Sequence, residues 1–167
     1  MILEIVDENG FLPEGAAELL ERVAEACLTE EGIEKACACV SVVDGQTIRE
    51  LNSRTRNVDS ETDVLSFPAI NYPDKKKAHE TPKLLSRAYD PALGAPFLGD
   101  IVLNVSRAAQ QAQEFGHSLS REMGYLTAHA MFHLCGYDHM TDEDKPLMRE
   151  MEKRAMKRLG LFRNSKE

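Results

Sequence analysis

Three histidines near the end of the chain, in His129-Ala-Met-Phe-His133-Leu-Cys-Gly136-Tyr-Asp138-His139, have the type and spacing to hold a divalent metal ion. Positions i and i+4 of a helix lie one turn apart on one face, so His129 and His133 can aim their imidazoles at a common point. Gly136 can take the left-handed conformation that ends a helix, and the turn beyond it can swing His139 back to that point. Three neutral imidazoles leave a fourth tetrahedral position open, the ligand set of a catalytic zinc rather than of a closed structural one. Cys135 lies in the same stretch and would close the site as a fourth ligand. Adjacent helical positions point about 100° apart, so the ligand set expected is His129, His133 and His139 with one Zn2+ per chain. His79, in a polar loop, and His117, between two helical patterns, have no such partners and read as ordinary surface or capping residues.

The histidines and the glycine have the spacing of the long zincin signature, H-E-x-x-H-x-x-G-x-x-H, but Ala130 stands where that signature has its general-base glutamate. A peptidase of that type needs the carboxylate to take a proton from water. A methyl group cannot, so the sequence supports the metal site and opposes peptide hydrolysis by the usual route.

The same stretch resembles the H-G-x-L-H-L-x-G-Y-D-H motif of the YbeY family, bacterial single-strand-specific endoribonucleases, with Ala130 for glycine and Phe132 for leucine. Leu51-Asn52 followed by Arg56, Asp59 and Thr62-Asp63-Val64-Leu65-Ser66-Phe67-Pro68 is similar to a second family block, and Leu98-Gly99-Asp100-Ile101-Val102 to a third. The resemblance implies a zincin-like α+β fold and a zinc-dependent endoribonuclease acting on single-stranded RNA in ribosomal RNA maturation. It further implies small-subunit rRNA 3′ end processing and ribosome quality control, with the ribosome or small-subunit proteins as partners. No DNA is expected as a partner. Arg56 matches the arginine of the second block, and its planar fork suits bidentate contact with phosphate, which makes it the catalytic candidate. The general base stays open. RNA can supply its own nucleophile through the 2′-hydroxyl, Asp138 reads as a residue that orients a ligand imidazole or shapes the turn before His139, and Ser66 and Asp100 fall near strand ends. The alternatives are a metalloprotease-like or other metal-dependent hydrolase whose carboxylate comes from outside the helix, and a non-catalytic ribosome-associated factor in which zinc is structural.

The elements that must position these residues follow from periodicity. Strands are expected at 2–6, 36–43, 64–67 and 101–104, and helices at 13–29, 47–55, 105–115, 119–135 and 142–159. The result is an α+β fold, a four-stranded mixed sheet with about five helices. At 167 residues and 43% hydrophobic, the chain has the size of one domain, and residues 1–167 are read as a single metal-dependent hydrolase domain. Between Ala69 and Phe97 the periodicity stops: Pro73, Pro82, Pro91, Pro96 and the Lys75-Lys76-Lys77 run interrupt it. This long loop is expected either to lie beside the active site as a flap touching RNA or to be a solvated insertion.

Cys37 and Cys39 would share one strand face and Cys27 falls on a helical pattern, so the four cysteines read as small core residues rather than a disulfide framework. The start of the chain has no basic region followed by an apolar one, and no stretch approaches a membrane span. A soluble, cytoplasmic protein is expected. Twenty basic and 28 acidic residues give a net charge of −8, against the basic footprint of a nucleic-acid binder. The acids are concentrated, however. Residues 1–34 hold ten of them against Arg22 alone, a charge of −9, which leaves +1 of the total for the rest. Arg49, Arg54, Arg56, the lysine run and the cations of the final helix can form local positive surfaces or merely solvated faces.

Overall fold

In a computed structural model, which describes residues 1–161, the elements alternate as the periodicity requires. They are β1 (Ile2–Val6), α1 (Ala16–Glu31), β2 (Cys37–Val42), α2 (Gly45–Arg56), β3 (Val64–Pro68), a 3-10 turn (Ala78–Glu80), α3 (Pro82–Arg87), β4 (Tyr89–Asp90), β5 (Ala95–Leu103), α4 (Val105–Phe115), α5 (Leu119–Leu134) and α6 (Asp144–Arg158). The sheet runs in the order β1-β2-β5-β3, with β1, β2 and β5 parallel and β3 antiparallel to β5. The short β4 pairs with the start of β5.

Strand alternation divides the core. Ile101 and Leu103 of β5, with Ala38, Val40 and Val42 of β2, face the main core, where Leu20, Val23, Met131, Phe132 and Leu134 of the helices are buried. Val102 turns the other way and packs with Leu65 of β3 and Ile48 of α2, so α2 covers the opposite face. Helix α5 is the hub of the main layer, packing on α1, α4 and α6 and on strands β3 and β5. Local chemistry sets the helix ends: Asp44 Oδ1 accepts from Thr47 N at 2.7 Å, Ser118 Oγ from Arg121 N at 3.1 Å, and Asn104 Oδ1 from Arg107 N at 3.3 Å.

Two expectations change. The segment 69–97 is not a structureless loop but contains the 3-10 turn, α3 and β4. Pro82 starts α3 rather than breaking a helix, because a proline at the first helical position loses no hydrogen bond. The last strand also begins at Ala95 and not at 101. Pro96 and Gly99 look like breakers in the sequence, yet the ladder continues through them by a bulge. Cys37 faces Phe97 while Cys39 faces Asp100, so two residues of β5 oppose one of β2. The bulge contains Gly99 at φ 143°, where a Cβ would lie 2.3 Å from the Phe67 carbonyl oxygen and 2.9 Å from Leu134 Cδ2. No helix among the described residues is long and apolar enough to cross a membrane.

Gly99→Ala must therefore displace either the β3 edge or the end of α5. A loss of about 2–3 kcal/mol of stability is expected, read as a lower urea midpoint. An unchanged midpoint would show that the bulge relaxes freely.

Candidate metal centre

Helix α5 carries His129 and His133 one turn apart and then stops. Gly136 N donates to His133 O at 3.0 Å and Tyr137 N to Phe132 O at 3.0 Å, with Gly136 at φ 93°. A Cβ on Gly136 would lie 2.8 Å from Lys76 O and 2.9 Å from the Tyr72 ring, so the reversal needs glycine for conformation and for space alike. Beyond it His139 returns to the helix. Ligand nitrogens of His129, His133 and His139 lie within 4.8 Å of one another, and the ring centroids are 4.7, 5.0 and 5.2 Å apart. His139 Nδ1 is 3.1 Å from His133 Nε2, close to the roughly 3.4 Å between nitrogens of a tetrahedral zinc site. The three can hold a metal ion.

Their protonation favours that role. Burial, followed by the facing His129 and His139, pushes the His133 pKa down to about 4, which keeps that ring neutral at ordinary pH. His129 Nδ1 lies 2.8 Å from Glu152 Oε1. With Nδ1–H donated to this carboxylate, Nε2 is left as the ligand atom. Glu152 is buried in α6 and was missed by the sequence reading. A signal existed: Met148, Met151, Ala155 and Met156 form the buried stripe of α6, and Glu152 is the carboxylate within it.

The other candidates separate clearly. Cys135 is fully buried, its thiol pKa raised mainly by that burial, and it does not belong to the histidine group. Asp138 is a turn residue whose Oδ1 accepts from His139 N at 2.7 Å. His79 and His117 are not ordinary surface residues. His79 Nδ1 pairs at 2.8 Å with the fully buried Glu31, and His117 Nε2 lies 3.0 Å from Glu122, both side chains being largely buried. Tyr137 OH also donates to Glu31, at 2.6 Å.

Residues 72–79 hold the turn that carries His139. Tyr72 OH donates to Leu134 O at 2.9 Å, Ala78 N to Cys135 O at 2.9 Å and Lys77 Nζ to Gly136 O at 3.0 Å. Three consecutive carbonyls freed at the helix end are thus satisfied from a segment whose sequence shows no periodicity. Beside His133 opens a cavity of 520 Å³ lined by Pro68, Ile70, Tyr72, Lys75, Lys76 and Asp138, among others. Arg56 is not among its lining residues. It ends α2, is exposed, and donates from Nη2 to Ser66 O at 3.3 Å, two residues before Pro68 at the cavity wall. A wider concavity of 760 Å³ lies on α2 around the exposed Arg49–Asp59 pair and touches none of the three histidines.

The fold is that of an α+β protein with a mixed sheet, and its three-histidine cluster, two on α5 and one beyond it, could hold a metal ion, a donor set of the kind that metal-dependent hydrolases use. The family model described as Endoribonuclease YbeY matches residues 5–160, and the chain belongs to this family. The Endoribonuclease YbeY of Caldanaerobacter subterraneus subsp. tengcongensis is 43% identical over 150 residues, 89% of this chain and 90% of the relative. That of Bacillus licheniformis is 38% identical over 169 residues, 99% of both. The solution structure of TM1509 from Thermotoga maritima shares the fold at a TM-score of 0.57 and 22% identity, covering 96% of this chain and 92% of that one.

Glu152→Gln should weaken metal binding by about 10–100-fold, because an amide is a poorer acceptor for the His129 N–H. Chelator competition with zinc is the measurement, and wild-type affinity in the variant would remove Glu152 from the site.

Proposed function

We propose that this chain is a zinc-dependent endoribonuclease specific for single-stranded RNA and acting in ribosomal RNA maturation, with His129, His133 and His139 holding one Zn2+. The observation that carries this reading is the convergence of three imidazoles beside a lysine-lined cavity, in a member of a family whose curated relatives are named endoribonucleases. The finer assignments are processing of the 3′ end of small-subunit rRNA and ribosome quality control in the cytoplasm, with the ribosome or its small-subunit proteins as partners. They accompany the same reading.

The residues fit the ion: burial keeps the His133 imidazole neutral, and a buried carboxylate facing Nδ1 of His129 leaves its Nε2 as the donor atom. When bound, the ion supplies Lewis acidity and a fixed positive charge beside the scissile phosphate. The chain supplies the rest. Lys76, exposed at the cavity, and Lys75, held 3.5 Å from Asp144, offset phosphate charge along the strand. Arg56 spends one guanidinium nitrogen on Ser66 O, and its remaining donors suit the extra negative charge of the transition state. Asp138 is the acidic side chain of the cavity lining and has only Oδ1 engaged. We assign it acceptance of the proton from the 2′-hydroxyl as that oxygen bonds to phosphorus and the P–O5′ bond breaks, which leaves a 2′,3′-cyclic phosphate and a 5′-oxygen that takes a proton from water. Peptide hydrolysis is disfavoured because the methyl group of Ala130 is buried where a glutamate would be needed.

The test compares wild type, His133→Ala and Arg56→Ala, at matched metal content for the first and third, on a single-stranded RNA and an unstructured peptide. Both substitutions should lower RNA cleavage by about 10²-fold or more, with the Arg56 variant within about 0.5 kcal/mol of wild-type stability and the peptide intact throughout. Equal RNA cleavage in all three would overturn the assignment in favour of a non-catalytic ribosome-associated factor.

A further inference from the structure

Two cavities adjoin residues of the histidine group. His133 lines the one already described, and residues of α5 and α6 line a second, a groove of 440 Å³, within the roughly 300–1,000 Å³ range of small-ligand sites. The groove reaches the histidines through His129. Glu152, which lines it, is the carboxylate on His129. Tyr125, one helical turn before His129, also lines it, with its ring centroid 6.1 Å from that of His129. Tyr125 is 41% exposed, so part of an aromatic side chain is open to solvent beside the histidine group.

The charge of the groove is opposite to that of the molecule. Arg149, Lys153 and Lys157 line it, while the chain as a whole carries −8. The one acid in the lining, Glu152, is 4% exposed and already committed to His129. The cations of α6 fall into two sets. Arg154 and Arg158 both pair with Glu30 of α1 and serve to dock the helix. Arg149, Lys153 and Lys157 are exposed and make no ion pair among the described residues. Three unspent cations around an exposed ring, next to a site for phosphodiester chemistry, are what single-stranded nucleic acid binds: phosphates on the cations, a base on the ring.

We propose that the α5–α6 groove is a second RNA subsite, taking a nucleotide that neighbours the scissile one, with its base stacked on Tyr125 and its phosphates on Arg149 and Lys153. The strand then lies across the histidines from one cavity to the other. Stacking accepts any base, and a duplex cannot present an unstacked base to Tyr125, so the groove selects single strands without reading their sequence. This inference rests on the ribonuclease reading.

The experiment is fluorescence anisotropy of zinc-loaded protein with a labelled 2′-O-methyl oligouridylate, which lacks the attacking hydroxyl, alongside cleavage of the unmodified RNA. Metal content is measured for every variant. Tyr125→Ala should weaken binding about tenfold and Tyr125→Phe should restore it. Removing two cations in Arg149→Gln/Lys153→Gln should weaken binding and reduce the log–log salt slope by roughly 1.4. Lys83→Gln on α3, the charge control, should bind as wild type does. The subsite is overturned if wild type cleaves RNA while the groove variants bind as tightly as it does. It is also overturned if Lys83→Gln weakens binding equally, or if Tyr125→Phe is as damaging as Tyr125→Ala. Wild type that neither binds nor cleaves RNA would instead overturn the ribonuclease reading.

Discussion

The site depends on one constraint: a helix that supplies two imidazoles must end abruptly enough for the third to return to them. An α-helix leaves its last carbonyls without partners, and here they belong to Leu134 and Cys135, which are buried, and to Gly136, which is half-buried. The reversal at Gly136 needs a positive φ and has no room for a side chain against Lys76 and Tyr72. The groups that crowd it are also its support, since Tyr72, Lys77 and Ala78 donate to the carbonyls of Leu134, Gly136 and Cys135. Metal geometry, helix termination and the course of the 69–97 segment are therefore one structural problem. A free loop in that segment would leave three largely shielded acceptors without these partners.

Buried carboxylates perform the same service at several points. Glu31 of α1, Glu122 of α5 and Glu152 of α6 are each almost fully buried, and each holds a histidine: His79, His117 and His129. An unpaired carboxylate in a core is costly, so each such residue requires its partner. Glu31 is the busiest, accepting from Tyr137 OH and from the backbone of His79 as well as facing its ring. It connects α1 to the segment that supports the metal turn and to the turn itself. Only the pair with Glu152 reaches a metal-group histidine directly, and there the partner selects a tautomer as well as a position.

Charge is divided by place in the fold. The acidic surplus belongs to the first 34 residues, whose helix packs its buried face on α5 and α6, while cations gather at Lys75 and Lys76 in the cavity that His133 lines and at Arg149 and Lys153 in the groove that Glu152 lines. A net charge of −8 is therefore compatible with an anionic substrate, because the potential at a cleft is set by the groups that line it and by screening over about 10 Å, not by the sum over the molecule.

Much of this was legible in the amino-acid sequence. Periodicity located the four principal strands and five of the helices because those elements bury a regular face, and the convergence of the three histidines was readable because i, i+4 spacing and a helix-ending glycine are local properties. What sequence concealed was long-range pairing. Pro82 and Pro96 look like interruptions until α3 begins at one and β4 pairs with the other, and Gly99 looks like a break until it is seen within a bulge. His79 and His117 seemed ordinary because their partners are 48 and 5 residues away on other elements. Glu152 is 23 residues from His129. By itself the sequence determined which residue types stand at metal spacing and which faces are apolar, since both depend on near neighbours. Only the tertiary structure decided which buried carboxylate serves which histidine and which cations of α6 are spent on Glu30, because those choices follow from helix packing, which brings together groups that the chain keeps far apart.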